Sequence, residues 1–277
     1  MAKKVGFQGV PGAYSEIAAR TFFGPSVNTV AFKTFAEVFN AVSKGVVNSG
    51  ILPLENSLAG SIHQNYDLLL KHKVAIIGEI KLRVSHNLIA HPQAKLSDIL
   101  HIYSHPQALA QCSLFIKKMR QSEEVPYFDT AGSAQFVKET NLKQNAAIAS
   151  AQAAKLYGLK ILKAGIEDDK KNYTRFAVIN KKPLAARGSA GRSKISLVFA
   201  LKNIPGGLHK ALGAFASRDI DLLKIESRPL AGSPWKYLFY LDVKGSLGDE
   251  PCRKALKHLS EIAKFQRILG CYPIARD

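Results

Sequence analysis

The chain has 277 residues, 47% hydrophobic and 22% charged, with a formal net charge of +18. That is length enough for two domains with cores of their own, and no tract is of low complexity. No apolar run reaches membrane-spanning length and no secretory signal opens the sequence. The three cysteines (Cys112, Cys252, Cys271) are scattered without CxxC spacing, which argues for a reducing compartment and against a zinc site or disulfide frame. A cytoplasmic protein without metal or cofactor is the expectation. Lys and Arg come singly or in pairs over both halves, with no finger and no aromatic RNA-binding segment. A generally basic surface accounts for this, and so does steering of a small polyanion; nucleic acid has less support.

Over the first 180 residues one pattern repeats: a short apolar run, a small or polar junction, then helical spacing. "KVGFQG" leads into "VPGAYSEIAARTFF", "SGILPLENS" into "LAGSIHQNYDLLLKH", and "DILHIYSHPQ" into "ALAQCSLFIKKM". "VPYFDTAGS" leads into "AQFVKET" and "NAAIAS" into "AQAAKLYG". Alternating strands and helices with short junctions predict an α/β fold with largely parallel strands. Ser104–Gln107 has the S-x-x-Q form of a capping box, and Asn56/Ser57, Asp129/Thr130 and Ser150 are good helix starters. Capping accounts for each junction singly. Several at one sheet edge would form an anion site, since helix starts present N–H groups and a positive dipole end.

A nucleotide is not indicated, because "GFQGVPGAYS" matches neither GxGxxG nor GxxxxGK[ST]. Serine hydrolysis lacks a GxSxG elbow, and Cys112 reads as a small buried hydrophobe. Phe176–Ile179 reads as a buried strand with Thr174 and Arg175 at its mouth. Two readings of Arg175 stand side by side, a ligand cation and a salt bridge to Asp168 or Asp169. His63 falls in a helical segment, His105 in the turn before Pro106, and Glu55 reads as a hydrogen-bonding partner of loop backbone.

Residues 181–193, "KKPLAARGSAGRS", read as a linker. Beyond it "KISLVFAL" is a strand and "PGGLHKALGAFASRD" a helix with Leu208, Ala211, Leu212 and Phe215 on one face. "IDLLKIESRPL" and "WKYLFYLDVKG" are strands about a Gly-Ser-Pro turn, "EPCRKALKHLSEIAKF" is a helix, and "QRILGCYPI" is a closing strand. This βαββαβ order is that of a ferredoxin-like domain.

In this order, "GFQGVPGAYS", "LPLENSLAGSIHQNYDLLL", "SHPQALAQC", "DTAGSAQFV", "AAIASAQAAKLYGL" and "NYTRF" resemble the prephenate dehydratase family. "IPGGLHKAL" and "KIESRP" resemble its ACT regulatory domain. The resemblance implies a two-lobed catalytic region like a periplasmic binding protein over residues 1–180. Lobe 1 would span about 1–80 and 165–180 and lobe 2 about 81–164, with the ACT domain at 194–277. It implies conversion of prephenate to phenylpyruvate with loss of water and CO2, in phenylalanine biosynthesis. Thr174 would be the catalytic hydroxyl, and Arg175, Phe176, Asn56, Ser57, Ser104, Gln107 and Thr130 would bind substrate. It further implies feedback inhibition by L-phenylalanine at an ACT–ACT interface, through Gly206, Gly207, Leu208, Glu226, Ser227, Arg228 and Pro229, in a homodimer or homotetramer. Arogenate, which carries an amine where prephenate carries a keto group, is the alternative substrate, because "ENSLAGSIHQNYDLLLKH" is similar to plant arogenate dehydratases. A non-catalytic small-anion or amino-acid binding protein is the rival of a different class.

Overall fold

The structure, a computed structural model, describes residues 3–183, 192–202, 204–229 and 237–275. In chain order the elements begin β1 (Lys4–Gln8), α1 (Tyr14–Phe23), β2 (Asn28–Phe32), α2 (Phe35–Lys44), β3 (Ser49–Asn56), β4 (Gly60–Ser61), α3 (His63–Lys71) and β5 (Ala75–Arg83). There follow β6 (Asn87–Ala90), β7 (His101–Ser104), α4 (Pro106–Ala110), α5 (Ser113–Ile116), β8 (Glu123–Pro126), α6 (Thr130–Thr140), β9 (Asn145–Ala149), α7 (Ala151–Tyr157), β10 (Lys160–Lys163) and β11 (Tyr173–Asn180). The chain ends with β12 (Ser193–Leu201), α8 (Gly207–Ala216), β13 (Leu222–Pro229), β14 (Tyr237–Lys244), α9 (Glu250–Ile262) and β15 (Ala263–Pro273).

Two compact units result, 1–68 with 80–176 and 69–79 with 177–277. One sheet has the order β2-β1-β3-β11-β5 with β4 paired to β3, and a second has β10-β6-β9-β7-β8. Together they form a two-lobed, periplasmic-binding-protein-like α/β region. The strands are less uniformly parallel than expected. β1 pairs parallel with β2 and β3, and β7 with β8 and β9, whereas β6 pairs antiparallel with β9 and β10, and β4 with β3.

Several helix ends follow the sequence. Asp129 and Ser150 cap α6 and α7 by accepting from Gly132 N and Ala153 N, and Thr34 and Glu37 form a full capping box on α2. Two junctions differ. Ser104 does not cap α4: its hydroxyl donates to Ile148 O at 2.7 Å, stitching β7 to β9, and the His105 ring accepts from Gln107 N instead. Asn56 and Ser57 start no helix. They end β3, and Asn56 Oδ1 takes the amides of Leu58 and Ala59 in a side-chain turn before β4. The long helix expected after "SHPQ" is split into α4 and α5. The Asp168 carboxylate accepts from Leu114 N and the Ser113 hydroxyl, so a residue 54 positions away along the chain caps a second helix start. β11 begins at Tyr173, which places Thr174 and Arg175 within the strand and not at its mouth.

The C-terminal sheet has the order β13-β14-β12-β15 and, with α8 and α9, forms a small βαββαβ domain of ACT type. Ile195, Leu197 and Phe199 on one face of β12 pack with Ala211 and Phe215 of α8 and Ala255 and Leu259 of α9. From the other face of β12, Lys194 Nζ lies 2.6 Å from Glu79 Oε2 and 3.4 Å from Asp242 Oδ2, and Ser196 Oγ donates to Asp242 Oδ1 at 2.5 Å. Arg267 on β15 donates to the carbonyls of Leu70 and His72 at the end of α3, at 2.8 and 2.6 Å. At Gly270 a Cβ would sit 2.1 Å from Ile76 O, so only glycine fits there. β15 starts at Ala263, inside the stretch read as helix, because Ala263, Phe265 and Gln266 pair with β12. Residues 184–191 of the expected linker and the Gly-Ser-Pro turn at 232–234 lie outside the described residues.

Candidate active site

Strand alternation decides which residues of "NYTRF" meet a ligand. Successive side chains on β11 point to opposite faces, and Thr174 and Phe176 line a cavity of about 180 Å³ while Arg175 does not. The Arg175 guanidinium instead lies 3.3 Å from Glu55 Oε2 and donates to Tyr66 Oη at 3.2 Å. Asp168 and Asp169 have other partners. Asp168 caps α5, and Asp169 Oδ1 accepts from Lys171 N. Glu55, read as a partner of loop backbone, is thus a partner of Arg175.

Both lobes supply the cavity wall. From the first come Gln8 at the end of β1, Ala13, Tyr14 and Ser15 at the start of α1, and Pro53 and Asn56 on β3. From the second come His105, Gln107, Ala108 and Gln111 around α4, and Asp129 and Thr130 at the start of α6. Val84 and His86 lie between β5 and β6. Among the sequence candidates, Thr174, Phe176, Asn56, Gln107 and Thr130 are therefore brought together. Ser104 is fully buried behind the wall. Ser57 is exposed and committed to backbone, donating to Lys171 O at 2.8 Å and accepting from Tyr173 N at 2.9 Å. His63 begins α3 and is not among the lining residues.

A chain of amides holds Thr174. Asn56 Nδ2 donates to Thr174 Oγ1 at 3.0 Å and to Asn172 Oδ1 at 2.7 Å, and Asn172 Nδ2 donates to Gln111 Oε1 at 2.9 Å. The same Gln111 oxygen lies 3.1 Å from His86 Nε2. With two donors converging on Oε1, the Gln111 amide can present only its NH2 elsewhere, and it reaches toward Asn56 Oδ1 at 3.5 Å. Because Thr174 Oγ1 already accepts from Asn56, its own proton is available to a ligand oxygen. His86 is buried, and desolvation holds its imidazole below the usual pKa against the opposing pull of Gln111 and Glu167. Burial pushes the Tyr14 phenol and the Cys112 thiol up, the latter to about 12, so Cys112 is no thiolate nucleophile.

Among the described residues no Lys or Arg lines this cavity, and Asp129 is the one acidic side chain that does. The expected cation on the wall is absent because alternation turns Arg175 to the other face. The groups on the wall that could hold an anion are helix starts and amides. At α1 the cap is Ala13, which offers no side-chain hydrogen bond, and the first turn opens on the cavity. His86, Gln111 and Asn172 were not singled out from the sequence, and Asp129 was read there as a helix starter and not as a site residue. Gln111 stands four residues after Gln107 on the same helical stretch, and that spacing was the available signal. Among the described residues no cluster of His, Cys, Asp and Glu could hold a metal.

In the C-terminal unit, Gly206 takes the left-handed conformation (φ 72°) and caps α8 ahead of Gly207 and Leu208. A Cβ at Gly207 would meet Lys202 O at 3.3 Å. Glu226, Ser227, Arg228 and Pro229 lie on the edge strand β13, and Glu226 pairs with Lys224 at 3.0 Å.

Fold and cavity define a class: a two-lobed α/β protein with a polar cavity for a small ligand, followed by an ACT-type domain. The prephenate dehydratase family model matches residues 5–184. The chain is 45% identical to arogenate dehydratase/prephenate dehydratase 2 of Arabidopsis thaliana, covering 98% of this chain and 73% of that protein. Among solved structures, prephenate dehydratase from Arthrobacter aurescens in complex with L-Phe superposes with a TM-score of 0.90. It is 30% identical, covering 98% of this chain and 90% of that one. GqqA, described as a novel type of quorum-quenching acylase, has a TM-score of 0.90 at 38% identity, covering 98% of both chains. The chain belongs to the prephenate dehydratase family, whose enzymes act on prephenate- and arogenate-type substrates in aromatic amino acid biosynthesis.

The cytoplasmic expectation is overturned by these relatives, since the Arabidopsis thaliana enzymes are chloroplastic. Sparse, unpaired cysteines mark a reducing compartment, and a plastid stroma is reducing as well, so cysteine usage could not tell the two apart.

Proposed function

We propose that this chain is an arogenate dehydratase that also accepts prephenate, each losing CO2 and water as its ring becomes aromatic. The observation that carries the reading is Thr174 Oγ1, on the cavity wall and accepting from Asn56 Nδ2 at 3.0 Å. As the ring carboxylate leaves as CO2, its electron pair enters the ring and expels the C4 oxygen, which needs one proton to depart as water. Thr174 is the positioned donor to that oxygen, its hydroxyl proton being replaced from solvent water, and donor assistance of this kind contributes ~10²–10⁴-fold. The substrate carboxylates fall to the start of α1, Gln107 and Thr130. Phe176 and Pro53 keep the ring side dry.

Residues 1–180 are the proposed catalytic region, with lobes at about 1–80 plus 165–180 and 81–164, then a linker at 181–193 and the ACT domain at 194–277. L-Phenylalanine is the proposed effector at the Gly206–Leu208 and Glu226–Pro229 segments of a homo-oligomer, a reading supported by the L-Phe complex of the Arthrobacter aurescens relative.

The likeness to GqqA raises a second reading, amide hydrolysis. A hydroxyl nucleophile needs a base beside it. Thr174 Oγ1 has an amide beside it, which cannot take its proton, so the cavity favours the dehydratase. The test is kcat/KM for arogenate and for prephenate on the purified protein, following phenylalanine and phenylpyruvate. Turnover of arogenate at least equal to that of prephenate is expected. Failure to turn over either substrate, with the protein folded, overturns the reading.

A further inference from the structure

We propose that Asp129 selects the substrate: its carboxylate receives the ammonium group by which arogenate differs from prephenate. The inference rests on the dehydratase reading of the cavity. Arogenate and prephenate share the ring, its hydroxyl and both carboxylates, so only a group facing the three-carbon side chain can tell them apart. Prephenate brings two negative charges to the site. Arogenate brings the same two and one positive charge.

The wall meets them with one formal charge, and it is negative. Asp129 lines the cavity, and among the described residues no Lys or Arg does. A carboxylate in a pocket for a dicarboxylate is otherwise a liability, because like charges in a poorly solvated site repel. Its duty as helix cap uses Oδ1, which accepts from Gly132 N, while Oδ2 is buried without a hydrogen bond of normal geometry, the amides of Ala131 and Val10 lying near enough to the carboxylate only to pull its pKa down somewhat. A buried carboxylate oxygen left in that state is costly unless a ligand satisfies it. Backbone opposite is held back as well. Gly9 sits at φ 113°, where a side chain would be strained and its Cβ would come within 3.3 Å of Oδ2. Burial raises the Asp129 pKa, and an arriving ammonium would reverse that. His105, on the same wall, is the neighbouring titratable group that partly offsets the burial.

The test is the Asp129→Asn variant of the full chain, compared with wild type on arogenate and prephenate. Asparagine keeps an oxygen for Gly132 N and the same size, removes the charge, and turns the second oxygen into an NH2 donor that cannot accept from an ammonium. The arogenate-to-prephenate ratio of kcat/KM should fall at least about tenfold, through a higher KM for arogenate and a gain with prephenate. Asp129→Ser, which also caps helices, should move the ratio the same way and guards against a folding defect in one variant. Equal losses on both substrates, or an unchanged ratio, overturn the proposal. A wild-type protein that turns over prephenate alone also overturns it, although the dehydratase reading then stands. Silence of wild type on both substrates brings down that reading and the proposal with it.

Discussion

The first unit and the second each bury a polar cluster, and the two are built on opposite principles. Around Thr174 the groups are neutral: Asn56, Asn172 and Gln111 pass hydrogen bonds along a line, and their pairing leaves one hydroxyl proton to spare. Around Lys194 the groups are ions, with Glu79 and Asp242 closing on one ammonium and Ser196 and Ala275 N taking up further oxygens. The amide line orients without fixing a charge, so charges brought by a ligand dominate its neighbourhood. The ionic cluster satisfies itself and ties β12 to Glu79 on β5. A site that must discriminate small anions is better served by the first design, and a structural joint by the second.

The largest effect should come from removing the spare proton. Thr174→Val should lower kcat by ~10²–10⁴-fold with Tm little changed, read by steady-state kinetics beside thermal unfolding. Near-normal turnover would remove Thr174 from the chemistry and leave the amide line a purely structural device. Breaking the ionic cluster should do the reverse. Lys194→Met leaves two buried carboxylates without their cation and should cost about 3–5 kcal/mol in urea unfolding. Its effect on kcat at temperatures where the variant is folded should be small; a large loss of kcat there would mean that the joint also serves the cavity.

Asn56→Ala removes the donor to Thr174 and the turn contacts to Leu58 and Ala59. It should lower both kcat and stability, the latter by about 1–3 kcal/mol, and so separates the amide line from its single end group.

The smallest effects concern pH. Glu16 has its pKa lowered, since Gly12 N, Arg20 and Thr29 outweigh the opposing cost of burial. The folded state then binds fewer protons than the unfolded one, so this stability is present above the unfolded carboxylate pKa and is lost as pH falls through the lowered value. Asp129 is the opposite case. Its folded pKa is raised, so the folded state binds more protons and stability declines as pH rises from the unfolded value through the raised one. Glu16→Gln should flatten the acid limb of a Tm-versus-pH curve, and Asp129→Asn should remove the decline. A steeper decline in Asp129→Asn would show that the charge is satisfied in the folded state.

Much of this was legible in the sequence because it is local. Period-2 and period-3.6 patterns gave the α/β alternation and the C-terminal βαββαβ order, and Asp129 and Ser150 cap where their positions before helical runs said they would. Ordered motifs carried the family, and with it Thr174, Asn56, Gln107, Thr130 and Phe176, which do share one wall. Ser104, Ser57 and Arg175 were misread because an oxygen or a cation near a motif says nothing of which way it points. A backbone carbonyl 44 residues from Ser104 claims its hydroxyl, and strand pleating turns Arg175 to Glu55 and Tyr66.

The sequence by itself determined which elements form and which family they belong to, since both depend on neighbours a few residues apart. Only the tertiary structure decided that no Lys or Arg among the described residues lines the cavity, that Gln111 and Asn172, 61 residues apart, complete the support of Thr174, and that Asp129 lines the cavity with one buried oxygen lacking a hydrogen bond. Those facts depend on burial and on partners distant in the chain, and hydrogen bonds and desolvation act through space.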